Sequence, residues 1–180
     1  FMLAARYNTN VEVIQYLCNT FKDTIDINKQ NNDGYTAFML AARFNTNVEV
    51  IQYLYNTFKD TIDINKQDND GYTVLMIAAR YNTNLEVIQY LYNTLKGTID
   101  INKQNNDGYT AFMLAARYNT NLEVIQYLYN TFKDTIDINK QDNDGCTALM
   151  ITAEYNTNNE VIQYLCNTFK DTININKQDD

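Results

Sequence analysis

Asn-Asp-Gly returns every 37 residues along this chain, with its glycine at Gly34, Gly71, Gly108 and Gly145. The segments 34–70 and 108–144 differ only at Phe44/Tyr118 and Val48/Leu122. A period of this length marks an array whose unit is one supersecondary element, too small to bury its own apolar faces. Neighbouring units must then stack to make a core. The period divides the 180 residues into a truncated unit at 1–33, units at 34–70, 71–107 and 108–144, and a degenerate unit at 145–180.

Within one unit the local signals agree. Asn69-Asp70-Gly71 is a tight turn, because glycine accepts the positive φ such turns need. Thr73 follows as N-cap of a first helix over Val74–Tyr81, in which Ala78-Ala79 lets a neighbouring helix approach closely. Asn82-Thr83-Asn84 contains no glycine, and Asn is the next choice for a left-handed helix end. Asn84 then caps a second helix, with Glu86 in its first turn and Lys96 near its end, both complementing the dipole. Leu85, Ile88, Leu91, Tyr92 and Leu95 form one apolar stripe at helical spacing. Thr98 to Gln104 runs extended toward the next turn.

Asp70-Gly71-Tyr72-Thr73-Val74-Leu75-Met76-Ile77-Ala78-Ala79 resembles the D-G-x-T-P-L-H-x-A-A core of the ankyrin repeat. Leu85-Glu86-Val87-Ile88 with Tyr90-Leu91 resembles that family's second helix, and Ile99-Asp100-Ile101-Asn102 its terminal D-V-N. The resemblance covers the whole chain. It implies an all-α fold, an ankyrin-type α-solenoid of stacked helix–loop–helix repeats with extended turn arms. There are three departures. Ala37, Val74, Ala111 and Ala148 stand where the family has Pro, and Met39, Met76, Met113 and Met150 where it has His. The family's imidazole ties neighbouring loops by hydrogen bonds and Met cannot, so apolar packing is expected instead. The unit is also longer than the family's usual 33 residues or so. The extra length falls partly in Asn82-Thr83-Asn84 and mostly between Asn93 and Thr98, where a longer second helix or a wider loop is expected. Tetratricopeptide units want a W-x2-L-G-x2-Y opening, and HEAT units lack D-G-x-T; both fit less well.

Composition removes most chemistries. With no His and no Ser there is neither an imidazole base nor a serine nucleophile. Asp68-Asn69-Asp70-Gly71 fails as a calcium loop, because Lys66 and Ile77 fall at its first and twelfth positions. Cys146 and Cys166 lack C-x-x-C spacing, and Cys166 is expected to be a packing residue on a second helix. Cys18 and Cys166 lie four units apart, too far for a disulfide, which fits a reducing, cytoplasmic compartment. The chain opens at Phe1 inside a unit and reads as a fragment, so a targeting signal on a missing N-terminus stays open. A formal charge of -8 opposes binding to nucleic acid or anionic membranes. The abundant Asn, Ile, Tyr and Lys read as a bias of the gene. No enzyme activity, cofactor or metal is expected.

Ankyrin proteins bind partners on a concave face of turn tips and exposed first-helix positions. By position, the resemblance implies Asn32, Asp33, Tyr35, Arg43 and Phe44 in the second unit. In the third it implies Asn69, Asp70, Tyr72, Arg80 and Tyr81, and in the fourth Asn106, Asp107, Tyr109, Arg117 and Tyr118. Tyr and Arg are the side chains that dominate interface energetics. The alternative for each residue is local: Arg and Asp as solvated charges, Tyr packed on its neighbours. In the last unit Cys146, Thr152, Glu154 and Asn159 break the pattern; Thr152 and Asn159 are expected to give a capping unit its polar outer face. The expected function is a monomeric module holding a protein partner. A spacer array, or a non-catalytic arm of a larger protein, remains open.

Overall fold

The computed structural model describes residues 1–95, 97–98 and 100–172. Among them are ten helices and no strand. They are α1 (Met2–Tyr7), α2 (Val11–Phe21), α3 (Ala37–Phe44), α4 (Val48–Phe58), α5 (Val74–Tyr81), α6 (Leu85–Leu95), α7 (Ala111–Tyr118), α8 (Leu122–Phe132), α9 (Ala148–Tyr155) and α10 (Asn159–Phe169). Lys96 and Ile99, and residues 173–180 of the last unit, lie outside the described residues.

Short and long helices alternate, and each kind forms its own layer. The short helices pack mainly on one another, α1 on α3, α3 on α5, α5 on α7 and α7 on α9, and more closely than the long ones do. Alanines allow this: Ala41, Ala42, Ala78, Ala79, Ala115 and Ala116 are all fully buried. The long-helix layer is spread by larger groups, including edge-to-face rings at Tyr92–Phe132 (5.4 Å) and Tyr129–Phe169 (4.6 Å). Tight spacing on one side and wide spacing on the other bends the stack toward the short helices.

The two ends of the stack reveal which way each side chain faces. Val13 and Phe21 are exposed in the first unit, whereas Val50, Val87, Val124 and Val161, and Phe58, Leu95, Phe132 and Phe169, are buried. These positions therefore cover themselves on the preceding unit. Ala5 is buried but its equivalent Ala153 is exposed, and Cys18 is buried but Cys166 is exposed. Those positions look toward the following unit. The second-helix stripe is thus wider than its sequence reading. Val87 is fully buried, and Leu85, expected in the stripe, is only partly so.

Two expectations for the last unit are corrected by the same logic. Cys166 is exposed rather than packed, at a position that looks toward the following unit. Thr152 does not contribute a polar outer face: it is 1% exposed, looks back at the preceding unit, and its hydroxyl reaches Ala116 O at 3.3 Å and Ala148 O at 2.7 Å. Asn159 is exposed, as a polar outer face requires.

Candidate functional site

The turns that lead into the short helices are built as expected, with glycine at φ +82° in Gly71 and similar values at its equivalents. A Cβ on Gly71 would sit 2.5 Å from Asn106 Oδ1 and 2.9 Å from Asn106 N, so the next turn stacks directly on it. Thr73 caps α5, accepting from Met76 N at 3.4 Å. In α3, Met39 returns the favour: its sulfur accepts from Thr36 N at 3.4 Å, closing a capping box within the unit.

Asn82 is not left-handed. Its φ of -92° and ψ of 118° are extended, and no described non-glycine residue has positive φ. Its side chain explains this. Asn82 Oδ1 accepts from Asn84 N at 2.9 Å, while its Nδ2 donates to Ala42 O at 2.9 Å and Asn45 O at 3.1 Å in the preceding unit. The same double bond recurs from Asn45, Asn119 and Asn156. At the turn tips Asn69 donates from N to Asp33 O at 3.2 Å and from Nδ2 to Asn32 O at 2.8 Å. Along the arms Asn28 Nδ2 donates to Thr61 O at 2.7 Å, and Gln30 Nε2 to Gln67 O at 2.8 Å. Bonding between units, expected to be lost with the imidazole, is carried by amide ladders. The Asn content read as a gene bias has a structural use.

On the short-helix side, one arginine per unit alternates with one aromatic ring. Arg6 Cζ lies 4.0 Å from the Phe44 ring centre, Arg43 3.9 Å from Tyr81, Arg80 4.2 Å from Tyr118 and Arg117 3.7 Å from Tyr155. Each arginine also stacks on the ring beside it in its own unit, at 4.7 Å for Arg80 on Tyr81. Every ring from Phe44 to Tyr118 is therefore held between two guanidiniums, a cation–π arrangement. Glu154 replaces arginine in the last unit and ends the series.

The expected site residues separate into three kinds. Phe44, Tyr81 and Tyr118 are exposed, at 36%, 37% and 40%, with Arg43, Arg80 and Arg117 half-buried between them. Tyr35, Tyr72 and Tyr109 are not exposed tips. Tyr72 is 7% exposed, and its hydroxyl accepts from Arg80 Nη1 at 2.6 Å; Arg43 and Arg117 bond Tyr35 and Tyr109 likewise. Burial pushes the Tyr72 and Tyr109 phenols up to about 12, against the opposing pull of Arg80 and Arg117, so both stay protonated at neutral pH. The third kind is the exposed turn edge: Asn32, Asn69, Asn106, Asp33, Asp70 and Asp107. There Asn69 and Asn106 already spend their amides on the preceding tip. Arg6 and Tyr155 were missed, although the period alone places an arginine at 6 and a ring at 155.

Beneath the turns, Asp68 and Asp142 alternate with Asn31 and Asn105 in one slot. Asp68 Oδ1 accepts from Tyr72 N at 2.8 Å and Asp70 N at 3.1 Å, and its buried carboxylate also faces the Tyr35 hydroxyl. Burial raises the Asp68 carboxyl above the ordinary carboxylate range, opposed by those two N–H groups. Among the described residues, no group of three or more His, Cys, Asp or Glu converges to hold a metal ion. No described helix is long and apolar enough to cross a membrane.

Helix pairs that bury their faces only on neighbours define the class: a helical-repeat solenoid presenting a periodic surface. The family model for ankyrin repeats, described as three copies, matches residues 1–105 and again 92–179, so the chain belongs to the ankyrin repeat family. No curated protein matches the chain. Ankyrin repeats are generally protein–protein interaction modules, and the family is typically non-catalytic.

Proposed function

We propose that this chain is a non-catalytic module that holds a partner protein on its concave, short-helix face. The observation that supports this is the continuous line of exposed rings and half-buried guanidiniums from Arg6 to Tyr155. Such rings offer apolar area at small cost in side-chain entropy, and arginine adds directional donors. The turn-edge residues Asn32, Asp33, Asn69, Asp70, Asn106 and Asp107 form one rim of this surface. Tyr35, Tyr72 and Tyr109 act from beneath, holding each arginine in place. Residues 145–180 serve as the capping unit, and the array works as a monomer in the cytoplasm.

The experiment is affinity capture from native lysate with the wild-type chain and a Phe44→Ala/Tyr81→Ala/Tyr118→Ala variant. The three rings lie on the surface, so helicity by circular dichroism should be retained. Partner recovery is expected to fall to background. Equal recovery by a folded variant would remove the site and favour the spacer reading.

A further inference from the structure

We propose that the leading face of 1–33 docks the trailing face of 145–180 from a second copy, so that chains add head to tail as their concentration rises. This goes beyond the partner-binding face and holds whichever partner the ladder takes.

The occupant follows from an interface the chain already contains. Residues 1–30 and 38–67 differ only at Tyr7/Phe44 and Cys18/Tyr55. Cys18 looks toward the following unit, so the leading faces of the first and second units differ by one phenol hydroxyl. The second is covered by the first unit, and the first lies open. Leu3, Val13 and Phe21 are 71%, 37% and 50% exposed, against 5%, 0% and 6% for Leu40, Val50 and Phe58. The polar groups match as well. Asn45 Nδ2 donates to Ala5 O at 3.2 Å and Asn8 O at 3.0 Å, and Asn47 Nδ2 to Thr9 O at 2.8 Å. The Tyr53 hydroxyl donates to Asn19 Oδ1 at 3.3 Å. Their counterparts at the open end are Asn8, Asn10 and Tyr16. Among the described residues, the Asn8 and Asn10 side chains are engaged only through Oδ1, which accepts from Asn10 N and Glu12 N.

The last unit presents what that face lacks. Ala5, Ile14 and Cys18 are buried beneath the second unit, and their counterparts are Ala153, Ile162 and Cys166, the first and last of them exposed. A cysteine in this slot is therefore compatible with a following unit. The acceptors on Ala5, Asn8, Thr9 and Asn19 recur on Ala153, Asn156, Thr157 and Asn167. Leu149, Glu154 and Asn159 replace Phe1, Arg6 and Val11, and the third unit already carries leucine at the first of these positions, Leu75. Glu154 takes the role that Arg43 has on the Tyr81 ring, at 3.9 Å, with Tyr7 as the ring. Arg6 Cζ already lies 4.6 Å from the centre of Tyr7. A carboxylate then meets a guanidinium where the internal interfaces set two guanidiniums about one ring, and unlike charges favour the contact. The substitutions make the trailing face more polar than the internal ones. Association must also offset lost translational and rotational freedom, which covalently joined units need not. The dilute chain is therefore the monomeric module. A head-to-tail contact is heterologous, so it does not stop at two copies.

The test is sedimentation velocity of the full chain in reducing buffer, from about 10 μM to about 1 mM, at low and moderate salt. Leu3→Glu/Val13→Glu blocks the leading face and Cys166→Arg the trailing one. All three residues are exposed, so helicity and melting should be unchanged. The wild-type mass should rise with concentration past that of a dimer. The rise should be larger at moderate salt, where the net charge of -8 on each copy is screened. Each variant alone should stay monomeric, its association weakened at least about a hundredfold. Their equimolar mixture should form a dimer that grows no further, because one variant keeps a free trailing face and the other a free leading face. That dimer also shows both variants to be folded. A wild type that is monomeric throughout, or one whose association is lost at moderate salt, would overturn the proposal. Association of Cys166→Arg alone would mark head-to-head pairing and overturn it too, as would a monomeric mixture.

Discussion

Replacing Asn82 by Ala isolates what the amide ladder does for the stack. Asn82 is 3% exposed and makes three bonds: from Nδ2 to Ala42 O and Asn45 O, and from Asn84 N to its Oδ1. The first two join adjacent units; the third steers the chain into the cap of α6. Each is worth about 1 kcal/mol net, and a buried carbonyl left without a donor costs at least that much. The expected loss is about 3 kcal/mol, placed at one interface of a structure whose stability is a sum of neighbour contacts. For a chain of this size that lowers the melting temperature by roughly 6–12 °C. Thermal melting by circular dichroism measures it, and hydrogen exchange locates it, with amides of α3 and α5 losing protection before those of α7. Asn56→Ala is the control, since Asn56 is exposed on α4; its effect should stay within about 0.5 kcal/mol. If Asn82→Ala costs no more than Asn56→Ala, the amides are a compositional accident and the ladder does not hold the units together.

Gly71→Ala forces a side chain into positive φ and into Asn106, so it should cost about 1–3 kcal/mol in thermal melting, while Gly97→Ala, whose Cβ meets nothing within 4 Å, should cost far less; equal effects would refute the stacked turns. Asp68→Asn should stabilise at pH 7 by about 1 kcal/mol. The sign follows from burial: a carboxyl whose folded pKa is raised contributes stability only while protonated and loses it as pH rises through that value. The advantage of Asn over Asp should therefore shrink between pH 7 and pH 3, and a constant difference across melts would contradict the burial argument. Deleting 145–180 uncovers Ala116, Ile125 and Tyr129 and should give self-association by light scattering; a monomeric, folded truncation would refute the capping role.

The period and the turn chemistry made most of the fold legible. Thr73 as cap, α5 over Val74–Tyr81 and the Ala78-Ala79 contact all follow from local propensity, which here agrees with the tertiary packing. What the sequence hid was direction. Ala78 and Ala79 are alike as residues, yet the end units show that one looks back and the other forward. Thr152 and Cys166 were misread for want of that direction. Asn82 was misread because backbone propensity favours a left-handed asparagine, whereas its side chain had two bonds to the preceding unit and one local bond to make. The arginine ladder was half legible: the period aligns the arginines, but only packing shows each one resting on a ring from the following unit.

That register is measured most directly by proton NMR of the arginine side chains in wild type and Tyr155→Ala. Tyr155 is exposed and lies in the last unit, so its removal leaves the stack intact. Arg117, 3.7 Å from the Tyr155 ring, should lose an upfield ring-current shift at its δ-methylene and Nε–H, while Arg6, Arg43 and Arg80 stay where they are. An unmoved Arg117, or equal movement of all four, would contradict the ladder.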